Sequence, residues 1–361
     1  MPDLLFDDER DARVLELGGL VDEPDALSEA TPLHRVTVFL TYRCNLDCPY
    51  CKTIARNDAE LEARPQKRAS FDEAAFERLL LQHRGTPLRH LHFTGGEASL
   101  VPGFADLVRR AKQAGVERLS VTTNGTLPPA RYLEFIAAGL DEVRVSLDAE
   151  EPGLGAAMTG RRAAWARAVE TVRALGAARA SGAPFFLIVN SVVGRENRAR
   201  LVELVRFLLS LGVDDLKLIT NVDEKDSLGD FPEAARVKES LDALLANAPA
   251  NAFPLLRRKL TTVFAPDAIG LSRVAPHDDW RCFIPLTERT VDATSYYPCS
   301  VYLREGGAAL GPLSDAPQTQ RQRSARFVKA GRCLEDPICQ RYCLHCTRAY
   351  NEAANAARSG R

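Results

Sequence analysis

A chain of 361 residues, 45% apolar and 26% charged, has the balance of an ordinary globular protein with room for one large and one small domain. A formal net charge of −1 excludes a nucleic-acid surface spread over the whole molecule, and no apolar run reaches the length needed to cross a bilayer. The first thirty residues hold ten Asp or Glu and two Arg, with neither the basic start nor the apolar core of a signal peptide, so a cytoplasmic location is expected.

The acidic lead-in covers residues 1–34. From residue 35 to 221, short apolar, β-branched runs alternate with helical patterns. The expected strands are 35–41 (RVTVFLT), 91–95, 118–124, 142–148, 185–191 and 216–221, each apolar enough for a parallel strand buried on both faces. Amphipathic stretches lie between them, at 71–83 and 197–211 for example. The first opens on Ser70-Phe71-Asp72-Glu73, read as a capping box, and Gly115, Gly139 and Gly212 follow helical patterns where a left-handed cap is wanted. Six strand–helix repeats predict an α/β fold with a parallel sheet, doubly wound or barrel-like, whose ligands gather at the carboxyl ends of the strands. The polar and glycine-rich residues fall there: Cys44 to Cys51, Gly95-Gly96-Glu97, Thr123-Asn124-Gly125, Ser146 and Asp148, Asn190 and Asn221. Residues 222–281 are less regular, with a helical piece at 232–247, and read as a linker or bridging helices. A small cysteine-bearing region follows at 282–350, and residues 351–361 form a tail.

The nine cysteines are not scattered. Three lie at 44, 48 and 51, and the other six at 282, 299, 333, 339, 343 and 346. In a reducing compartment two such clusters point to metal, and more particularly to iron–sulfur. The run CNLDCPYC lacks the paired spacing of a tetrahedral zinc site. Three thiolates on one loop leave one corner of a four-iron cubane open.

CNLDCPYC, placed directly after a first strand and with Tyr50 before its last cysteine, resembles the signature of the radical S-adenosylmethionine (SAM) enzymes. The likeness extends along the repeat region. HFTGGEAS resembles the family's glycine-rich turn, which implies that Gly95, Gly96 and Glu97 meet the methionine amino group of SAM. TTNGT and VSLDA resemble its third and fourth strand ends, which makes Thr123, Asn124, Ser146 and Asp148 candidates for the ribose and methionine parts. Asn190 belongs to the same row of strand ends, and Arg161 in TGRR resembles a position near the SAM carboxylate. The resemblance implies a partial (β/α)6 barrel, a [4Fe-4S] cluster on Cys44, Cys48 and Cys51, and reductive cleavage of SAM to a 5′-deoxyadenosyl radical that removes a substrate hydrogen. It also implies an electron donor of the flavodoxin or ferredoxin type.

TVDATSYYPCS at 290–300 resembles the hairpin that opens the family's SPASM and twitch domains. The spacing Cys282-x16-Cys299, then Cys343-x2-Cys346, implies one auxiliary [4Fe-4S] cluster, with zinc on the same four residues as the alternative. Cys333 and Cys339 are then surplus, either packing thiols, replacement ligands or catalytic hydrogen-atom donors. For function, the reading placed first is oxidation or epimerisation of a small polar metabolite, because a twitch-sized domain resembles family members of that kind; only about 34 residues precede the first strand, too few for a winged-helix precursor-recognition module, which weighs against the alternative. Maturation of a ribosomal peptide, by thioether or carbon–carbon cross-linking or epimerisation, is the alternative. Glu224, Asp226, Asp279, Tyr296 and Tyr297 are the polar or aromatic candidates for substrate contact.

Overall fold

The computed structural model of the protein describes residues 33–55, 57–83, 88–224, 231–264 and 281–343. The six strands of the repeat region are β1 (Arg35–Thr41), β2 (His90–Gly95), β3 (Arg118–Thr123), β4 (Glu142–Ser146), β5 (Phe186–Val193) and β6 (Asp215–Thr220), close to their expected bounds. The helices of this region are α1 (Asp58–Ala63), α2 (Glu73–Leu81), α3 (Phe104–Gln113), α4 (Pro129–Ala137), α5 (Pro152–Thr159), α6 (Ala164–Ala180) and α7 (Leu201–Leu209). The irregular stretch holds α8 (Ala234–Ala246) and α9 (Pro254–Val263). After it come α10 (Ile284–Thr287), β7 (Glu288–Val291), β8 (Ser295–Tyr297), α11 (Ser300–Arg304), β9 (Gly311–Pro312), α12 (Pro317–Ala330) and α13 (Pro337–Tyr342). Gly115, Gly139 and Gly212 take the left-handed conformation expected of helix ends, with φ of 88°, 115° and 75°.

The capping-box reading of α2 needs correction. Asp72, not Ser70, is the N-cap, its carboxylate accepting the Ala75 N–H at 2.6 Å. Ser70 is engaged elsewhere: it forms a β-bridge with Thr41, and the two hydroxyls lie 2.8 Å apart. Asp caps as well as Ser, so the helix starts where its first free N–H finds a carboxylate.

The chain forms two units. One is drawn from residues 1–43, 52–119 and 270–361, and its strands run in the order β2-β1-β7-β8-β9. Strand β1 pairs in parallel with β2 on one side and with β7 on the other, from Arg35 opposite Glu288 to Val38 opposite Val291. The hairpin expected at 290–300 is present, with Thr290 opposite Tyr297 and Val291 opposite Tyr296. A single carboxylate organises it. Asp292 is fully buried; its Oδ1 accepts the Thr294 and Ser295 N–H groups at 2.9 and 2.8 Å and the Thr294 hydroxyl at 2.8 Å. Its Oδ2 accepts the hydroxyls of Tyr42 at 2.8 Å and Tyr297 at 3.2 Å.

The other unit comprises residues 44–51 and 120–269, and its strands run β6-β5-β4-β3, all parallel. One face of this sheet carries Val121, Val143, Val145, Leu187, Val189, Leu216 and Leu218, all buried. The opposite face is not the apolar surface expected of a strand buried on both sides. In register along it stand Ser120 and Glu142, Thr122 and Arg144, then Ser146 beside Asn190 and Asn190 beside Lys217. Burial leaves these strands reading as continuous, but alternate side chains face a polar interior, and that is the face on which a ligand can be held by hydrogen bonds. Helix α9 is fixed to β6 by Asp215, whose buried carboxylate accepts the Leu255 and Leu256 N–H groups at 2.8 and 3.3 Å.

Candidate functional site

The cysteine loop belongs to the second unit, where it is held by hydrogen bonds from several segments. The amide of Asn124, at the end of β3, donates to Asn45 Oδ1 at 2.8 Å and lies 3.8 Å from Cys44 Sγ. Asn45 donates to the Thr126 hydroxyl at 2.8 Å, and Thr126 returns to Asn124 Oδ1 at 2.6 Å. The Leu46 N–H points at Cys44 Sγ at 3.4 Å. Asp47 donates its N–H to the Thr159 carbonyl at 3.1 Å. At Gly160, with φ 68°, a Cβ would lie 2.6 Å from the Asp47 carbonyl oxygen, so the TGRR turn packs flush on the loop and needs glycine there.

Tyr50 and Asp148 are given to each other. The Tyr50 hydroxyl hydrogen-bonds Asp148 Oδ2, and Asp148 Oδ1 accepts the Val192 N–H at 2.7 Å. Burial raises the Asp148 carboxyl to about 6, against the opposing pull of its bonds from Tyr50 and Val192. Burial, then Asp148 and Cys51, push the Cys48 thiol up to about 12. Asn197, which sequence reasoning passed over, completes the scaffold: fully buried, it donates to the Asp148 and Val192 carbonyls at 2.9 and 2.7 Å and accepts the Gly194 N–H. The signal was an Asn four places past β5 in a polar loop before a helix, where a side chain that mimics backbone is commonly used. Thr123 is also internally engaged, its hydroxyl 3.1 Å from that of Tyr132. Ser146 stands partly exposed at the end of β4, and beside it Asn190 Oδ1 is buried with no hydrogen-bond partner. A cavity of about 430 Å³ opens next to the loop, lined by Asn45, Leu46, Thr126, Arg161, Arg162 and Arg167 among others.

In the first unit, Gly95 and Gly96 lie against the end of β1. Their added Cβ atoms would stand 2.2 Å from the Thr41 oxygen and 2.1 Å from the Arg43 oxygen, and Gly96 and Glu97 donate N–H bonds to those same carbonyls at 2.6 and 2.8 Å. Close backbone packing therefore accounts for both glycines on its own. Glu97 is buried, its Oε1 accepting the Ser99 N–H and hydroxyl at 3.1 and 2.7 Å.

The second cysteine group is also in the first unit. Cys282, Cys339 and Cys343 pack around buried Cys333, and Cys282 and Cys299 pack on Phe283, Ile284, Leu286, Ala325 and Val328. Burial raises the thiols of Cys282, Cys299, Cys333 and Cys339, and for Cys282 the neighbours Cys333, Cys343 and Cys299 add to it. Backbone N–H groups oppose this: Ile284 donates to Cys282, Tyr302 and Val301 to Cys299, and Cys282 and Leu334 to Cys333. Cys333 and Cys339, counted as surplus from spacing, thus sit in the same thiol group as Cys282, Cys299 and Cys343. Lys52, the residue after Cys51, pairs with Glu305 at 2.7 Å and lies 4.3 Å from the Tyr342 ring centre. Cys346, Asp226 and Asp279 lie outside the described residues. Tyr296 and Tyr297, considered for substrate contact, are instead interior residues of the hairpin, and Glu224 accepts the Arg195 N–H at 2.7 Å.

Comparison with known proteins accounts for the first cysteine group. Residues 38–208 match the Radical SAM superfamily. The chain carries a radical SAM domain. Among curated relatives of this radical SAM chain, the PqqA peptide cyclase of Streptomyces rochei is 34% identical over 182 residues, 50% of this chain and 46% of the relative. That of Gluconobacter oxydans (strain 621H) is 34% identical over 180 residues, 50% and 47%. The chain thus spans about half the length of the curated relatives it matches. Two solved structures share the fold: Streptococcus suis SuiB bound to precursor peptide SuiA, with TM-score 0.60 and 16% identity over 86% of this chain and 70% of that one, and native anSMEcpe with bound AdoMet, with TM-score 0.60 and 15% identity over 90% and 96%. The fold is the partial (β/α)6 barrel of the superfamily, with a cysteine-rich region after it. The chain is an enzyme that uses a [4Fe-4S] cluster and SAM.

The residues present fit that pair of groups. The thiols of Cys51 and Cys44 lie close enough to Cys48 to push it further up, so the loop gathers all three. The orphaned Asn190 oxygen, the packed TGRR turn and the arginine-lined cavity beside Asn45 are what a polar, carboxylate-bearing cofactor calls for.

Proposed function

We propose that this radical SAM enzyme acts on a peptide, removing hydrogen from it to form a cross-link, as a maturase. The observation that carries the reading is the company the chain keeps: the curated relatives are peptide cyclases, and the fold is shared with SuiB in complex with a precursor peptide. This outweighs oxidation of a small metabolite, which rested on the likeness of the twitch-sized domain.

When bound, the cluster and SAM supply a hydrogen-abstracting radical. Cys44, Cys48 and Cys51 hold the cluster; the Asn124–Asn45–Thr126 ring and the Tyr50–Asp148 bond fix the loop that carries them. Asn190 Oδ1 and Ser146 offer acceptors and a hydroxyl at the strand ends for the polar part of SAM, and Arg161 in the loop-side cavity offers a cation for its carboxylate. Cys282, Cys299, Cys343 and Cys346 are the proposed ligands of an auxiliary cluster able to take the second electron of an oxidation. Cys333, buried and approached by the N–H groups of Cys282, Leu334 and its own backbone, is better placed as a ligand than as a hydrogen-atom donor, and it can stand in for one of the four.

The test is anaerobic reconstitution with iron and sulfide, then reduction, SAM and synthetic peptides from reading frames flanking the gene. Mass spectrometry should find a peptide lighter by two hydrogens, together with 5′-deoxyadenosine. If SAM is cleaved and hydrogen is lost only from a small metabolite, the reading is wrong.

A further inference from the structure

The first unit also buries an arrangement of cationic side chains that the proposed chemistry does not use. Arg289 on β7 and Arg321 on α12 are 4% and 5% exposed. Gln320, next to Arg321 and fully buried, accepts an N–H bond from Arg289 Nη1 at 2.5 Å. The end of α2 reaches the same place: Gln82 donates to the carbonyls of Leu313 and Asp315 at 2.6 and 3.3 Å, and Gln320 donates to the same two carbonyls at 3.3 and 2.9 Å. His83 follows Gln82, with its Nε2 buried and without a partner.

The donors left over on Arg289 decide the chemistry. Nη1 is taken by Gln320, and the guanidinium plane lies over the Tyr296 ring at 5.4 Å. Nε and Nη2 are both buried with no hydrogen-bond partner. These two N–H groups form one edge of the guanidinium, a fork that matches two oxygens of a planar oxyanion. Asp315 does not fill it: its carboxylate faces the Tyr296 hydroxyl at 3.5 Å and Arg323 Nε at 3.4 Å. A buried guanidinium beside a second one, with two unused donors, is costly without a counter-charge. Burial, then Arg321, lowers the Arg289 guanidinium to about 9, and burial and the two arginines lower His83 to about 3, so His83 is a neutral ring able to donate through Nε2.

We propose that Arg289, Arg321 and His83 enclose a binding site for one small planar oxyanion, of the formate or bicarbonate class, inside the first unit. The Nε–Nη2 edge of Arg289 grips two of its oxygens, and His83 Nε2 donates to the ion from the end of α2. With the unpartnered donors of Arg289 and His83 buried, a peptide or nucleotide has no way in, which restricts the occupant to a free ion of a few atoms. The occupied site ties α2, β7 and α12 together as an internal counter-ion.

The test uses the cluster-loaded protein exchanged into sodium gluconate, whose anion is too large to enter, and replaces gluconate by formate, bicarbonate or chloride at constant ionic strength. Formate and bicarbonate should raise the melting temperature saturably, chloride only weakly. In Arg289→Met the apparent formate affinity should fall at least about tenfold, the loss expected when a charge-assisted fork is removed. No rise over gluconate, an equal rise with chloride, or the same formate response in Arg289→Met would each overturn the proposal. Should Arg289→Met fail to fold, His83→Gln serves instead: weaker formate binding supports the site and an unchanged midpoint overturns it.

Discussion

The bond between Tyr50 and Asp148 ties together two residues that the family resemblance offers to the cofactor. Folding brings them together, and the carboxylate is further held by the Val192 N–H. Tyr50 then acts as a strut between the cysteine loop and the sheet, and Asp148 as its footing. A hydrogen bond to a charged group contributes about 1.5–3 kcal/mol, so Tyr50→Phe, which keeps the ring, should release iron from the loop cluster to a chelator about tenfold faster. The auxiliary iron serves as the internal control, since Tyr50 is not part of that group. Equal release from wild type and variant would remove the strut. The identities of these residues were legible in sequence, but their partnership was not: ninety-eight positions separate them, and only the folding of the cysteine loop onto the end of β4 makes the contact. The glycines of HFTGGEAS carry the same lesson. Their family resemblance pointed to a ligand, while the contact distances show that the carbonyls of Thr41 and Arg43 exclude any side chain there.

At the level of elements, strand positions and helix-ending glycines were readable because apolar β-branched runs and left-handed caps are local properties. The polar face of the β3–β6 sheet was not, because burial hides the alternation of Glu142, Arg144 and Ser146 inside an otherwise apolar strand. Nor did the sequence show that Asp292 would organise the hairpin after β7. One buried carboxylate accepts five donors there, from the turn, from its own strand pair and from Tyr42 at the end of β1. Asp292→Ala strands those donors in the interior and should cost about 3 kcal/mol, read as a lower midpoint in chemical denaturation. Asp292→Asn, which keeps the acceptor oxygen and the shape, should recover part of the loss. If Asp292→Ala melts with the wild type, the network does not hold the hairpin.

For the whole molecule, two cubanes require about eight irons per chain after reconstitution. Replacing Cys44, Cys48 and Cys51 together by Ala should leave about four irons, and replacing Cys282, Cys299 and Cys333 together by Ala should likewise leave about four, because these three share one thiol group with Cys339 and Cys343. Iron content near eight in that triple variant would disprove the auxiliary cluster, and near four in the wild type would do the same. Reaction type was legible from two cysteine groups and one turn; substrate class was not, since nothing local in the chain names it and the decisive information came from relatives.

The parallel pairing of β1 with β7 bears on how such enzymes can be re-engineered. A cut before β7 would strip β1 of a neighbour and leave a row of unsatisfied amides and carbonyls, a template for aggregation rather than a clean terminus. The cysteine-rich end is therefore woven into the barrel sheet and is no detachable cassette. Chimeras that exchange it between family members should carry β7 and β8 along with it, matched in register to the β1 they inherit.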